Sequence, residues 1–196
     1  MFSRSRRGTL RSQEDLLRKL VGSLEDLGIS YMLTGSISSS FHGEARATND
    51  VDIVIAPSKA QIEKLLSSLG PDFYSDRQAA LDALARADIF NIVDMEGGWK
   101  VDFMIRKERP FSREEFSRRT TVRMGELLVS ITTSEDAILS KLEWAKSSHS
   151  ERQYQDALGV ALVNRDDLDR DYLRRWAEEL GLDQLLEKLL TEVDQA

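Results

Sequence analysis

Residues 33–36 read Leu-Thr-Gly-Ser, and after a spacer of thirteen residues Asp50-Val51-Asp52 opens an apolar run, Ile53-Val54-Ile55. Alternate residues of a strand share a face, so Asp50 and Asp52 present two carboxylates to one side while their neighbours anchor the strand. Two such charges repel, and apolar surroundings aggravate the repulsion. A hard divalent cation, Mg²⁺ or Mn²⁺, relieves both penalties, and carboxylate oxygens suit it. A further acid, Asp102, sits inside a second apolar run, Lys100-Val101-Asp102-Phe103-Met104-Ile105. If that run pairs beside 51–55, Asp102 joins Asp50 and Asp52, and three carboxylates can serve two ions roughly 3.5–4 Å apart. Gly35-Ser36 supplies the complement. A glycine at a strand-to-helix turn lets backbone N–H groups approach a phosphate, Ser36 adds a hydroxyl, and a helix N-terminus favours anions. Together these residues describe a metal–nucleotide site; read singly, each is no more than a solvated acid or an ordinary turn.

The elements that must position them follow from periodicity. Ser12, with Asp15 three residues on, starts a helix whose leucines share a face and which ends at Gly28. Residues 29–34 read as a buried strand, 37–42 as a short helix, 51–55 as a second strand and 58–69 as a helix entered through Pro57-Ser58. A short helix over 79–87 and a hairpin joining 90–94 to 99–105 across Glu96-Gly97-Gly98 come next, then a helix over 112–119 and a strand over 127–131. From 134 the pattern is helical, in segments 135–146, 151–163, 169–180 and 183–193. The fold class expected is α/β (α+β): a mixed sheet flanked by helices with a helical C-terminal part. The organisation expected is a basic arm (1–11), an α/β body (12–131) and a helical part (132–196).

Composition narrows the chemistry. The 196 residues contain no cysteine and two histidines, which excludes disulfides, thiolate zinc sites and a catalytic thiol. No run approaches the ~20 apolar residues of a membrane span, and no apolar segment follows the arginines of the first eleven residues, so a cytoplasmic protein is expected. The net charge of −7 argues at first against a polyanionic ligand. Residues 151–196, however, carry twelve acidic and six basic side chains and account for −6 of it. Residues 100–123 carry eight basic against four acidic side chains, a potential path for a phosphate-rich substrate beside Asp102. Trp144 and Trp176, among leucines at helical spacing, read as core, His42 as a local hydrogen-bonding group, and Trp99 as core or a stacking surface.

Residues 33–55, with their Gly-Ser turn and Asp-x-Asp strand, resemble the signature of the DNA polymerase β-type nucleotidyltransferase superfamily. Phe41-His42-Gly43, Arg46-x-Thr48 and Asp50-x-Asp52 are more similar to its bacterial branch of AbiEii-like toxins and minimal nucleotidyltransferases. Glu135-Asp136-x-x-Leu139-x-Lys141-Leu142 and Arg152-x-x-x-Asp156 resemble that branch's helical motifs, with Gln155 and Gly159 departing from them. The resemblance implies metal ligands at Asp50, Asp52 and Asp102, the last also on the base side. It implies nucleotide contacts from Gly35, Ser36, Thr48 and Lys141, with Arg46, Arg152 and Asp156 as further contributors. It implies a nucleotidyltransferase moving a nucleoside monophosphate from a nucleoside triphosphate such as ATP to a hydroxyl of a protein, a tRNA or a small molecule. Two Mg²⁺ or Mn²⁺ ions and a resistance or toxin–antitoxin setting with a cognate partner protein go with that reading. The competing readings are a non-catalytic nucleotide-binding or toxin–antitoxin regulatory module on the same fold, and a metal-dependent phosphodiesterase.

Overall fold

The computed structural model describes residues 11–43 and 50–196; most of the basic arm, together with Arg46 and Thr48, lies outside the described residues. The chain order is α1 (Gln13–Asp26), β1 (Tyr31–Thr34), α2 (Gly35–His42), β2 (Asp50–Ile55), α3 (Lys59–Ser68), β3 (Phe73–Ser75), α4 (Arg77–Arg86), β4 (Ile89–Asp94) and β5 (Lys100–Ile105). It continues with α5 (Pro110–Arg118), β6 (Thr120–Met124), β7 (Leu127–Ile131), α6 (Ser134–Ser148), α7 (Glu151–Val163), α8 (Arg170–Leu180) and α9 (Asp183–Gln195). The strands form one seven-stranded mixed sheet in the order β3-β4-β5-β2-β1-β7-β6.

β2 runs antiparallel to β1 and parallel to β5, and these three strands build the centre of the sheet. Their alternation decides the two faces. Val51, Ile53, Val101, Phe103, Phe90 and Ile92 point away from the acids into a core with Leu16, Leu20 and Leu24 of α1, Ile62 and Leu65 of α3, and Ala80 and Ala83 of α4. Fully burying side chains of this size stabilises by roughly 1.5–3 kcal/mol each, which pins the register and so the outward-facing residues. Helices α6–α9 enclose a second core of their own, joined by Phe111 from α5. A buried network ties this helical group to the body. Asp136 of α6 accepts from Thr133 Oγ1 (2.7 Å), from the Tyr172 hydroxyl of α8 and from Arg118 Nε of α5 (3.2 Å).

The two elements absent from the periodicity reading, β3 and β6, are the edge strands of the sheet. β6 alternates between exposed and half-buried residues and is made a strand by its pairing with β7 across Gly125-Glu126, with Gly125 at φ +59°. Neither carries the apolar alternation that marks an interior strand.

The turn from β1 into α2 is set by Gly35, whose φ is +61°. A Cβ at this position would stand 1.9 Å from Asp52 Oδ2. Gly35→Ala therefore adds left-handed strain to a displacement of Asp52, and the expected loss is about 1–3 kcal/mol. It reads as a lower melting temperature, at roughly 2–4 °C per kcal/mol for a chain of this size. Gly22→Ala is the control: it lies inside α1 with nothing within 4 Å of its Cβ, and it is expected to raise stability by about 0.5–1 kcal/mol.

Candidate active site

The strand register places the acids. Across the sheet, Asn91, Asp102, Asp52 and Thr34 stand in one row, from β4, β5, β2 and β1. One pleat toward the strand starts lie Asp50 and Lys100, and one pleat toward the ends lie Val54 and Met104. Neighbouring strands are about 4.8 Å apart, so the Asp52 and Asp102 carboxylates face the same small volume. Burial and the Asp102 carboxylate push the Asp52 carboxyl above the usual range; the Ser36 backbone N–H, which donates to it, and the Lys141 charge act the other way. Asp102 Oδ2 accepts from Lys100 Nζ at 2.8 Å, and this bond raises the Lys100 ammonium above its ordinary value. The other oxygen, Oδ1, is buried without a partner.

A pocket of about 380 Å³ lies over this row. The sheet forms its floor, Thr34-Gly35-Ser36 one end, and α6 a wall that presents Ala137, Ser140, Lys141 and Trp144 at helical spacing. Of the residues expected at the site, Gly35, Ser36, Asp50, Asp52, Asp102, Lys141 and Arg152 all line it. Asp156 reaches it through Lys141, whose Nζ donates to Asp156 Oδ2 at 2.9 Å and Gln153 Oε1 at 3.0 Å; Lys141 is 6% exposed. Thr34, the N-cap of α2, makes no side-chain capping bond, so the start of that helix is left to the pocket. Arg46 and Thr48 lie outside the described residues.

The carboxylates suit a hard cation in donor chemistry, and the buried Asp102 Oδ1 is an oxygen in need of a positive partner. They are not gathered around a point in this side-chain arrangement: among the described residues no group of three or more His, Cys, Asp and Glu is placed to hold an ion. Lys100 holds the outer oxygen of Asp102 instead.

The readings of the tryptophans, His42 and the basic stretch fare differently. Trp144 is not core: it is 54% exposed and lines the pocket beside Val54 and Met104, because α6 turns this side of itself toward the sheet. Trp176 is buried in the helical core, and Trp99 packs on the body core with its indole N–H donating to the Arg11 carbonyl. His42 Nε2 meets the Thr132 carbonyl at 2.7 Å, which requires the proton on that nitrogen, and burial lowers its pKa. The basic stretch is largely neutralised internally, by Arg109–Glu143, Arg113–Glu108 and Arg118 with Glu135 and Asp136.

Glu115 is the pocket residue that sequence reasoning missed. In the sequence it is one of the four acids counted over 100–123 and carries no signal of its own; the packing of α6 over α5 buries it, at 8% exposure. Burial pushes its carboxyl up to about 7; the Ser140 hydroxyl, donating at 2.8 Å, opposes this, and the Asp136 charge adds to it. Folded Glu115 thus keeps its proton to about pH 7, whereas the unfolded chain releases it near 4.5. Its contribution to stability is complete below 4.5 and lost as pH rises through 7. Glu115→Gln keeps an acceptor for Ser140 without the charge. Its melting temperature is expected to match wild type at pH 4.5 and exceed it above pH 8, by up to about 3 kcal/mol in stability.

No family model matches the sequence, and no curated protein matches it. Among solved structures, the antibiotic-resistance factor ANT(2'')-Ia in solution superposes with a TM-score of 0.51 at 12% identity, over 93% of this chain and 95% of that one. Its crystal structure in complex with adenylyl-2''-tobramycin gives 0.50 at 12% identity, over 94% and 98%. An antigenic nucleotidyltransferase-like protein from Paracoccidioides brasiliensis gives 0.46 at 15% identity, over 91% and 95%. The mixed sheet with its flanking helices is the nucleotidyltransferase-type fold of ANT(2'')-Ia.

Proposed function

We propose that this chain transfers a nucleoside monophosphate from a nucleoside triphosphate to an acceptor hydroxyl. The observation that carries the reading is the pairing of Asp52 with Asp102 on adjacent parallel strands, in one pocket with the Gly35-Ser36 turn and Lys141. The Ser36 hydroxyl and the start of α2 hold the triphosphate. Lys141, kept in the wall by Asp156 and Gln153, adds positive charge to the same end. Asp102 takes the acceptor's proton. The acceptor oxygen then bonds to the α-phosphorus as the bond to pyrophosphate breaks, and the proton passes to solvent. Asp50, Asp52 and Asp102 are the residues that would hold Mg²⁺ or Mn²⁺, which when bound polarises the α-phosphoryl group and neutralises the leaving pyrophosphate.

The acceptor belongs to the side of the pocket beyond Asp102, where Met104, Ser112, Glu115 and Trp144 offer apolar, hydroxyl and carboxyl surface. ANT(2'')-Ia, similar in fold, is seen with an adenylylated aminoglycoside, which supports a hydroxyl of a small molecule ahead of a protein or a tRNA end. One observation favours a second reading, a nucleotide-binding module without transfer: the Lys100–Asp102 ion pair occupies the oxygen that the chemistry needs. Such a module binds a nucleoside triphosphate yet releases no pyrophosphate.

The test is incubation with each α-labelled nucleoside triphosphate, Mg²⁺ or Mn²⁺, and aminoglycosides, tRNA or the protein itself as acceptors. Transfer is expected with wild type and is lost with EDTA. Asp102→Asn is expected to lower the rate by about 10²–10⁴-fold, the range of general-base loss, and Asp52→Asn at least as far. Triphosphate binding without pyrophosphate release under either metal assigns the chain to the second reading. Neither binding nor transfer removes both.

A further inference from the structure

The floor that carries the acids also carries a cation. Lys100 is the register partner of Asp50 and stands two residues before Asp102 on the same face of β5. Its Nζ lies 2.8 Å from Asp102 Oδ2, with the lysine side chain 47% exposed and the aspartate 20%. On the flanking strand β4 the register partners are Val93 and Asn91, which carry no charge. On the facing wall, Lys141 is engaged by Asp156 and Gln153. Lys100 is thus an ammonium bonded directly to Asp102 of the Asp50, Asp52 and Asp102 group.

The ammonium does not satisfy Asp102: it reaches Oδ2 and leaves Oδ1 buried without a hydrogen-bond partner. A divalent cation serving Asp52 and Asp102 competes for the Asp102 oxygen that Lys100 now draws on, and its charge repels the ammonium. A lysine on a flexible four-carbon stem, half in solvent, can leave at small cost in desolvation. We propose that Lys100 is a displaceable countercharge: it holds Asp102 and limits acid–acid repulsion while no cation is bound, and swings into solvent when a divalent cation takes the carboxylate. This rests on the reading of Asp50, Asp52 and Asp102 as cation ligands. Lys100 is thus a positioning residue, and it sets the cation concentration at which the site is loaded.

Two charge-removing variants and one charge-keeping variant test it: Lys100→Met retains the stem, Lys100→Gln retains a hydrogen-bond donor, and Lys100→Arg retains the charge. Titration with MnCl₂ and with MgCl₂ by calorimetry at fixed ionic strength gives the cation affinity. Thermal unfolding in EDTA and in saturating Mn²⁺ gives the stability of the empty and loaded forms. Lys100→Met and Lys100→Gln are expected to bind Mn²⁺ about three- to tenfold more tightly than wild type, the effect of removing one partly screened charge. They are expected to melt below wild type in EDTA and to recover the difference in Mn²⁺, with Lys100→Arg tracking wild type throughout. Equal or weaker Mn²⁺ binding by the two neutral variants overturns the role of Lys100 and leaves the cation site standing. No cation binding by any of the four proteins overturns the cation site, and this proposal with it.

Discussion

Asp52 and Asp102 face each other across two parallel strands, half-buried, and a sheet tolerates that only if the repulsion is met from every side. Each surrounding feature answers part of it. The Ser36 amide donates to Asp52, Lys100 bonds Asp102 along the strand, and Lys141 adds charge from the wall. Gly35 has no side chain because the Asp52 carboxylate occupies the space where one would stand. The strongly apolar reverse face of β2 and β5 holds the arrangement in place: slipping the register to separate the acids would turn Val51, Ile53 and Phe103 out of the core.

The C-terminal helices make a pocket of what would otherwise be one open face of a sheet. α6 is both wall and brace. Its N-terminal turn is locked by Asp136 to α5 and α8, and the next turns present Ser140, Lys141 and Trp144 to the floor. The arginine of that lock, Arg118, also lies over the Tyr172 ring at 3.7 Å, so part of the positive charge of the 100–123 stretch serves to assemble the molecule. The polyanion path inferred from its composition is for the most part a set of internal ion pairs. Positive charge at the pocket comes from Arg106, Lys107, Arg109, Lys141 and Arg152 in its lining, and Lys100 reaches it through Asp102.

Much of the architecture is legible because it rests on local rules. The capping residues Ser12 and Ser58 start α1 and α3 by accepting from Asp15 and Gln61 amides, and the apolar periodicity of α1 and α6–α9 marks the faces that pack. The Gly-Ser turn and the alternating acids of β2 are legible as a candidate site in the sequence, and the fold brings them into one pocket. Edge strands β3 and β6 are not legible, since a strand paired on one side needs no apolar pattern. Trp144 is misread and Glu115 is overlooked for a common reason. An amphipathic pattern tells which residues leave solvent only when the neighbouring element is known, and α6 buries the acid of α5 while exposing its own indole.

By itself the sequence determined the donor groups on offer: carboxylate oxygens with no thiolate or imidazole set, a glycine where a turn must pass close, and strands apolar enough on one side to hold acids on the other. The tertiary structure decided which acids meet. Asp52 and Asp102 are fifty residues apart, and nothing local distinguishes a β5 beside β2 from one paired only with its hairpin partner β4. That choice is made by the shared core under both strands. The same parallel register brings Lys100 beside Asp50 and onto Asp102, and the docking of α6 brings Lys141 over the acids. These are consequences of long-range packing, because charge placement across strands and helices depends on register and crossing, which no single segment encodes.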